Sequence, residues 1–185
     1  MNIIEPPTIE LPNAQEFGLK SNTRTFTSPF TGYTQSQSTP GSLWFCKYKY
    51  PPMKDDKARQ FKAFLMKLRG QANAFTAKDF NFTGQSTTGI TATATLGANI
   101  LIFNIAVTLA VGDYIKVGDE FKQVTEASTG KSATIEPPFR DSHTGSAVEL
   151  EDPTCSMLLD VDSVMWSSGV CNITVFEFAG VEVFA

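Results

Sequence analysis

Apolar and polar residues alternate with period two along much of this chain, and only one stretch repeats at helical spacing. The clearest strand pattern covers residues 43–50. There Trp44, Cys46, Tyr48 and Tyr50 share one face, while Lys47 and Lys49 take the other. Residues 23–27 read as a short strand, and Ser28-Pro29-Phe30-Thr31-Gly32 places Pro29 and Gly32 where a turn or loop needs them. Pro40-Gly41 marks a further turn. More short strands are predicted at 90–95, 100–103, 114–117, 121–125 and 133–135, with Val117-Gly118-Asp119-Glu120 joining two of them as a hairpin. Residues 170–178 alternate again, with Cys171, Ile173 and Val175 opposite Asn172, Thr174 and Phe176, and residues 181–184 continue in that style.

The helical stretch begins after Pro51-Pro52, where Asp55 or Asp56 can open a helix. Ala58, Phe61, Leu65 and Leu68 recur on one side with Phe64 beside them, and Lys54, Lys57, Arg59, Lys62 and Lys67 fill most other positions. Gly70 follows as a stop, so the spacing predicts one amphipathic helix over 55–69, suited to covering a sheet. The first twenty residues carry Pro6, Pro7 and Pro12 with little periodicity and read as an extended arm.

A Thr/Ser/Gly/Gln-rich connector at 83–89 separates this region from the run of short strands over 90–150, which suggests a small barrel or sandwich. The terminal strands need partners, and pairing them with the N-terminal strands is economical. The expected organisation is a discontinuous β domain of residues 1–82 and 151–185, with 83–150 inserted as a small β-barrel-like domain. The fold class is mainly β.

Length and composition fit this picture. A chain of 185 residues suits one large domain or two small ones. A chain of this length buries roughly 70% of its unfolded surface, so it needs no covalent staples. Apolar residues make up 42% and charged residues 18%, a globular balance, and fifteen Phe imply much apolar surface to cover, inside the chain or against partners. Cys46, Cys155 and Cys171 lie far apart with no C-x-x-C spacing and read as small buried hydrophobes of a reduced protein. The start of the chain has no basic, apolar leader pattern, and no apolar run approaches the ~20 residues that span a bilayer. Synthesis in a cytoplasm without membrane insertion is expected. Asn172-Ile173-Thr174 matches the glycosylation triplet, but without a secretory route the match is read as chance.

The net charge of −4 argues against nucleic-acid binding. Charge is unevenly placed, however. Residues 47–69 hold eight Lys/Arg against Asp55 and Asp56, a balance of +6, and residues 136–162 hold seven Asp/Glu against Arg140, a balance of −6. Two solvated faces are the plain reading. The sharper one is that neighbouring subunits meet through them, with Lys57, Arg59 and Lys62 facing Glu149, Glu151 and Asp152.

Candidate chemistry is thin. His143 is the sole histidine, so any Ser–His or Cys–His nucleophile system must use it, and Asp141-Ser142-His143-Thr144-Gly145 reads as an exposed polar loop. No Cys/His spacing suits zinc. Gly130-Lys131-Ser132 resembles the end of a phosphate-binding loop, but Thr125 stands where the first glycine belongs and a strand pattern follows. The pairs Asp160/Asp162 and Glu149/Glu151 suit a solvated strand face better than acid–base work. Trp44 and Trp166 sit in strand-like contexts that predict burial. No catalytic centre, cofactor or metal is expected.

Several segments together resemble a family of tail proteins of long-tailed bacteriophages. They are Ser28-Pro29-Phe30-Thr31-Gly32, Pro40-Gly41-Ser42-Leu43-Trp44, Tyr50-Pro51-Pro52-Met53 with the helix ending Phe64-Leu65-Met66-Lys67-Leu68-Arg69-Gly70, then Val111-Gly112-Asp113-Tyr114-Ile115-Lys116-Val117-Gly118 and Ile135-Glu136-Pro137-Pro138-Phe139-Arg140. The pattern runs through most of the chain from about residue 24. The resemblance is to distal tail proteins. It implies a β-sandwich ring domain, a peripheral barrel-like domain, and a homohexameric ring in the virion between the tail tube protein and the tail-tip hub proteins. No catalytic residues carry over. The alternative reading is a phage-tail module that binds host-surface polysaccharide through the inserted domain. A cell-wall hydrolase carried in the tail is a third, and it lacks a His/Cys/Glu constellation.

Overall fold

The computed structural model describes residues 1–39, 41–86, 88–169 and 172–184. Pro40 of the predicted turn, and Val170 and Cys171 of the predicted strand at 170–178, lie outside the described residues.

The chain is mainly β, with one α-helix among the described residues. Its larger sheet has six strands, taken from both ends of the described chain. These are β1 (Ile3–Ile4), β2 (Ala14–Lys20), β5 (Leu43–Lys49), β6 (Ala74–Ala77), β13 (Cys155–Leu159) and β16 (Glu177–Glu182), in the order β1-β6-β13-β16-β5-β2. β1 runs parallel to β6, and the other neighbours are antiparallel. The first twenty residues, read as a free arm, therefore supply two of these strands. Pro6, Pro7 and Pro12 fall between β1 and β2, where no ladder N–H is required, so they do not oppose pairing.

Helix α1 (Asp55–Leu68) closes one face of this sheet. Ala58, Phe61, Phe64, Leu65 and Leu68 are its buried stripe, as the spacing predicts. Phe61 lies 4.4 Å from the Tyr50 ring and 5.1 Å from the Phe176 ring between centroids, and Phe75 lies 5.5 Å from Phe178. The alternation in β5 also holds, with Trp44, Cys46 and Tyr48 buried and Lys47 and Lys49 exposed. Asp55 and Asp56 occupy the first turn, but the capping position is Lys54, which makes no side-chain cap bond. The stop comes one residue before Gly70, at Arg69 in the left-handed region. Gly70 itself has φ +64°, and a Cβ there would meet the Asp162 backbone oxygen at 2.8 Å.

Residues 91–149 form a closed six-stranded antiparallel barrel. Its strands are β7 (Thr91–Ala94), β8 (Ile100–Phe103), β9 (Tyr114–Val117), β10 (Glu120–Glu126), β11 (Ser132–Glu136) and β12 (His143–Glu149), closed as β10-β11-β8-β7-β12-β9. Leu101, Phe103, Ile115, Val117, Val124 and Ile135 fill it. Of the barrel strands, β12 is the one that the sequence pattern does not predict. A bulge between His143 and Ser146 breaks its alternation, and only Val148 of its residues reaches the barrel core. His143 is accordingly not an exposed loop residue; its side chain is 12% exposed.

The barrel abuts the sheet through aromatic residues. Phe121 and Tyr114 of the barrel pack with Phe17 and Trp44 of the sheet, at centroid separations of 5.2 to 5.9 Å. Two short pairs remain: β3 (Thr23–Thr27) with β4 (Thr34–Ser38), and β14 (Ser167–Ser168) with β15 (Thr174–Val175).

Candidate functional site

The hairpin β3–β4 stands apart from both cores. Its register runs from Thr23 opposite Ser38 to Thr27 opposite Thr34, and every residue of both strands is exposed. The turn is well specified: Ser28 N–H donates to the Tyr33 carbonyl and Gly32 N–H to the Ser28 carbonyl, both at 2.9 Å. Gly32 takes φ +71°, which glycine adopts without strain. Phe26, Phe30 and Tyr33 are 66%, 96% and 78% exposed. An isolated two-stranded hairpin is marginally stable in water. A well-formed turn carrying three exposed aromatic rings therefore presents a surface that a partner can cover. The sequence marks the strand and the turn, but strands built of Thr, Ser and Gln have no apolar face to reveal how exposed they are.

A groove of about 950 Å³ opens at the base of this hairpin, between Thr23, Ser38 and Leu19 on one side and barrel residues Leu96, Pro137 and Pro138 on the other. Arg140 closes one end, where its guanidinium donates to the Ser42 carbonyl and lies 3.6 Å from the centre of the Phe184 ring.

The predicted contact residues are spread over two regions. Lys57, Arg59 and Lys62 lie on the solvent side of α1, while Glu149 ends β12 and Glu151 and Asp152 lead into β13. Five of the six already have partners within the chain. Lys57 pairs with Glu10 and Arg59 with Asp56; Lys62 sits 5.3 Å from the centre of the Trp166 ring. Glu149 reaches Lys116 at 3.8 Å and Asp152 reaches Lys78 at 2.6 Å. Trp166, expected to be buried, is 38% exposed and forms part of this surface.

The interior holds a charge cluster that sequence reasoning does not reach. Glu120, Lys122 and Glu182 are all buried. Glu120 accepts from Lys122 at 2.6 Å, from the backbone N–H groups of Arg140 and Asp141 at 3.0 Å each, and contacts His143 Nε2 at 3.1 Å. Burial pushes its carboxyl up, but Lys122, the Arg140 N–H and His143 outweigh burial and hold it below the ordinary carboxylate range. Glu182, on the sheet, accepts from the Trp44 N–H at 3.0 Å and faces Arg140 at 3.7 Å. Burial leaves its carboxyl above the ordinary range despite these partners. The partners are separated by 20 residues or more in every one of these contacts except Glu120–Lys122, so no local motif announces them.

His143 Nδ1 also lies 3.3 Å from Ser146 Oγ, which lines up Ser146, His143 and Glu120. The carboxylate of this line is the hub of a buried ionic cluster, so its geometry is accounted for by holding the barrel end together. Gly130 and Lys131 precede β11 rather than a helix, so this turn lacks the architecture of a phosphate-binding loop. Among the described residues no group of three or more His, Cys, Asp or Glu is placed to hold a metal ion. Among them, too, no helix is long and apolar enough to cross a membrane. No protein-family model matches the chain, and no curated protein matches it.

Proposed function

We propose that this chain is a structural subunit of a bacteriophage tail tip, a distal tail protein that forms a homohexameric ring between the tail tube and the tip complex. The observation that carries this reading is the hairpin β3–β4, whose ten strand residues and three aromatic rings are left uncovered by the chain's own cores. A subunit that closes a ring by head-to-tail contacts needs such a projecting, partner-seeking element. It also needs rigidity between its parts. The Trp44–Phe121 and Arg140–Glu182 contacts tie barrel to sheet and supply it.

The segments that resemble the distal tail family support the same reading by their roles. Residues 28–33 form the hairpin turn, Tyr50-Pro51-Pro52-Met53 carries the chain from β5 to α1, and Tyr114 and Phe139 are packed at the barrel's contacts with the sheet and with His143. The test is mass and shape in solution. Light scattering and electron microscopy are expected to find closed rings of six copies, and antibody labelling of particles to find the chain at the tail tip. A chain that stays monomeric at every concentration and labels no particle overturns the reading.

A further inference from the structure

We infer that the tip of hairpin β3–β4 in one copy seats in the groove at the hairpin base of a second copy. This rests on the assembly reading above and names the surface that the neighbour supplies.

The occupant cannot be the chain's own tip. The ladder from Thr23/Ser38 to Thr27/Thr34 has five residue pairs, and at about 3.4 Å per residue it carries the turn more than ~13 Å away from its base. Tip and groove therefore lie at opposite ends of one arm. Contacts that join two different patches in this way repeat head to tail, and they either close into a ring or run on as a filament.

The two surfaces match in chemistry. Residues 25–34 hold no charged side chain, and their large exposed apolar groups are Phe26, Phe30 and Tyr33. Leu19, Leu96, Pro137 and Pro138 give the groove apolar walls. Its charged residues are already engaged, Glu136 by the Asn99 amide at 3.1 Å and Arg140 by Ser42, Glu182 and the Phe184 ring. An uncharged tip thus meets apolar walls beside charged groups that already have hydrogen-bond partners within the chain.

Size points the same way. Aromatic residues bury about 150–250 Å² each, so three bring about 450–750 Å². That approaches the ~800 Å² per partner of a stable interface. The groove volume of about 950 Å³ is large enough for one or two of the rings with their turn.

The experiment uses the full chain in a Cys171→Ser background, since Cys46 and Cys155 are buried. Two variants, Phe30→Cys and Leu96→Cys, are mixed and oxidised, and light scattering follows assembly of the parent and of Phe30→Ser. The expected result is a disulfide-linked pair in the mixture and in neither variant alone. Phe30→Ser is expected to weaken association at least about tenfold with unchanged circular dichroism. Normal association by Phe30→Ser, with no cross-link, overturns the inference while leaving assembly through other surfaces intact. Absence of any oligomer from the parent overturns both. Cross-linking of Phe30→Cys to itself alone replaces the head-to-tail contact with a two-fold one and likewise overturns the inference.

Discussion

The indole N–H of Trp44 donates to the backbone carbonyl of Phe121 at 3.0 Å, and the two rings meet nearly edge to face at 5.2 Å. One residue belongs to the sheet and the other to the barrel, so this pair is the hinge pin between them. Phe121→Ala is expected to cost about 3–5 kcal/mol, as large truncations in cores do. The emission of Trp44 should shift to the red, read in a Trp166→Phe background. An unchanged denaturation midpoint would show that the junction carries no stability.

The ends of the barrel segment also meet, since Gly84 N–H donates to the Glu151 carbonyl at 3.1 Å. Excising residues 83–150 and joining the flanks with a short Gly/Ser linker is expected to leave a folded sheet with its helix, as judged by circular dichroism and dispersed amide resonances. Its melting temperature should be lower, because Trp44 and Phe17 lose the rings of Phe121 and Tyr114. A product without a cooperative transition would mean that barrel and sheet fold only together.

Acid should weaken the barrel end through Glu120. A carboxyl held below its unfolded value contributes stability that is present above the ordinary pKa of about 4.3 and lost as pH falls through the folded value. Glu120→Gln leaves Lys122 buried without its counter-charge, so it is expected to cost about 3–5 kcal/mol at neutral pH. The gap between wild type and variant should narrow as pH falls from the ordinary carboxylate range through the lower folded value of Glu120. Urea midpoints measured from neutral to acid pH check this, and a gap independent of pH would exclude the ionic account.

Charge reversal on α1 separates assembly from stability. Lys57 and Arg59 make exposed pairs, each worth about 0–1 kcal/mol, so replacing Lys57, Arg59 and Lys62 by Glu should barely change the melting curve. On the proposed assembly, ring formation should slow, and raised salt should slow it in the wild type too, since screening limits such patches to about 8 Å at physiological ionic strength. Normal rings from the triple variant would assign these residues to solvent.

Cys46 should be inert in the folded chain. Burial is the main cause that pushes its thiol up to about 12. At pH ~8 the reactive thiolate is then on the order of a thousandfold scarcer than for a free cysteine. Alkylation followed by mass spectrometry is expected to spare Cys46 until denaturant is added; rapid native labelling would contradict its burial.

Where side-chain period and burial agree, the fold is legible along the chain. Trp44, Cys46 and Tyr48 alternate because one face of β5 turns to the core, with Trp44 covered by the barrel rings, and Phe61, Leu65 and Leu68 repeat because α1 packs on that same core. β12 is hidden because its bulge and the polar run Thr144-Gly145-Ser146 erase the period. β2 is hidden by the prolines before it. The ionic hub is illegible for a different reason. Glu120 and His143 are brought together by closure of the barrel itself, and Glu182 meets the barrel through Arg140; nothing in the local sequence of any one names the others. Pro29 and Gly32 mark the aromatic tip as a turn, yet its exposure depends on what does not pack on it, which no periodicity encodes.

The placement of β13 and β16 between β6 and β5 also fixes an order of events on the ribosome. All six barrel strands have emerged by Glu149, and each pairs within that stretch. The sheet cannot close until Glu182 has been translated, because its two middle strands are its last. A nascent chain paused between these points carries a finished barrel beside β5 and β6 with open edges. Where neighbouring ribosomes translate copies of the chain side by side, that pause is when strand exchange between chains competes most strongly with correct closure.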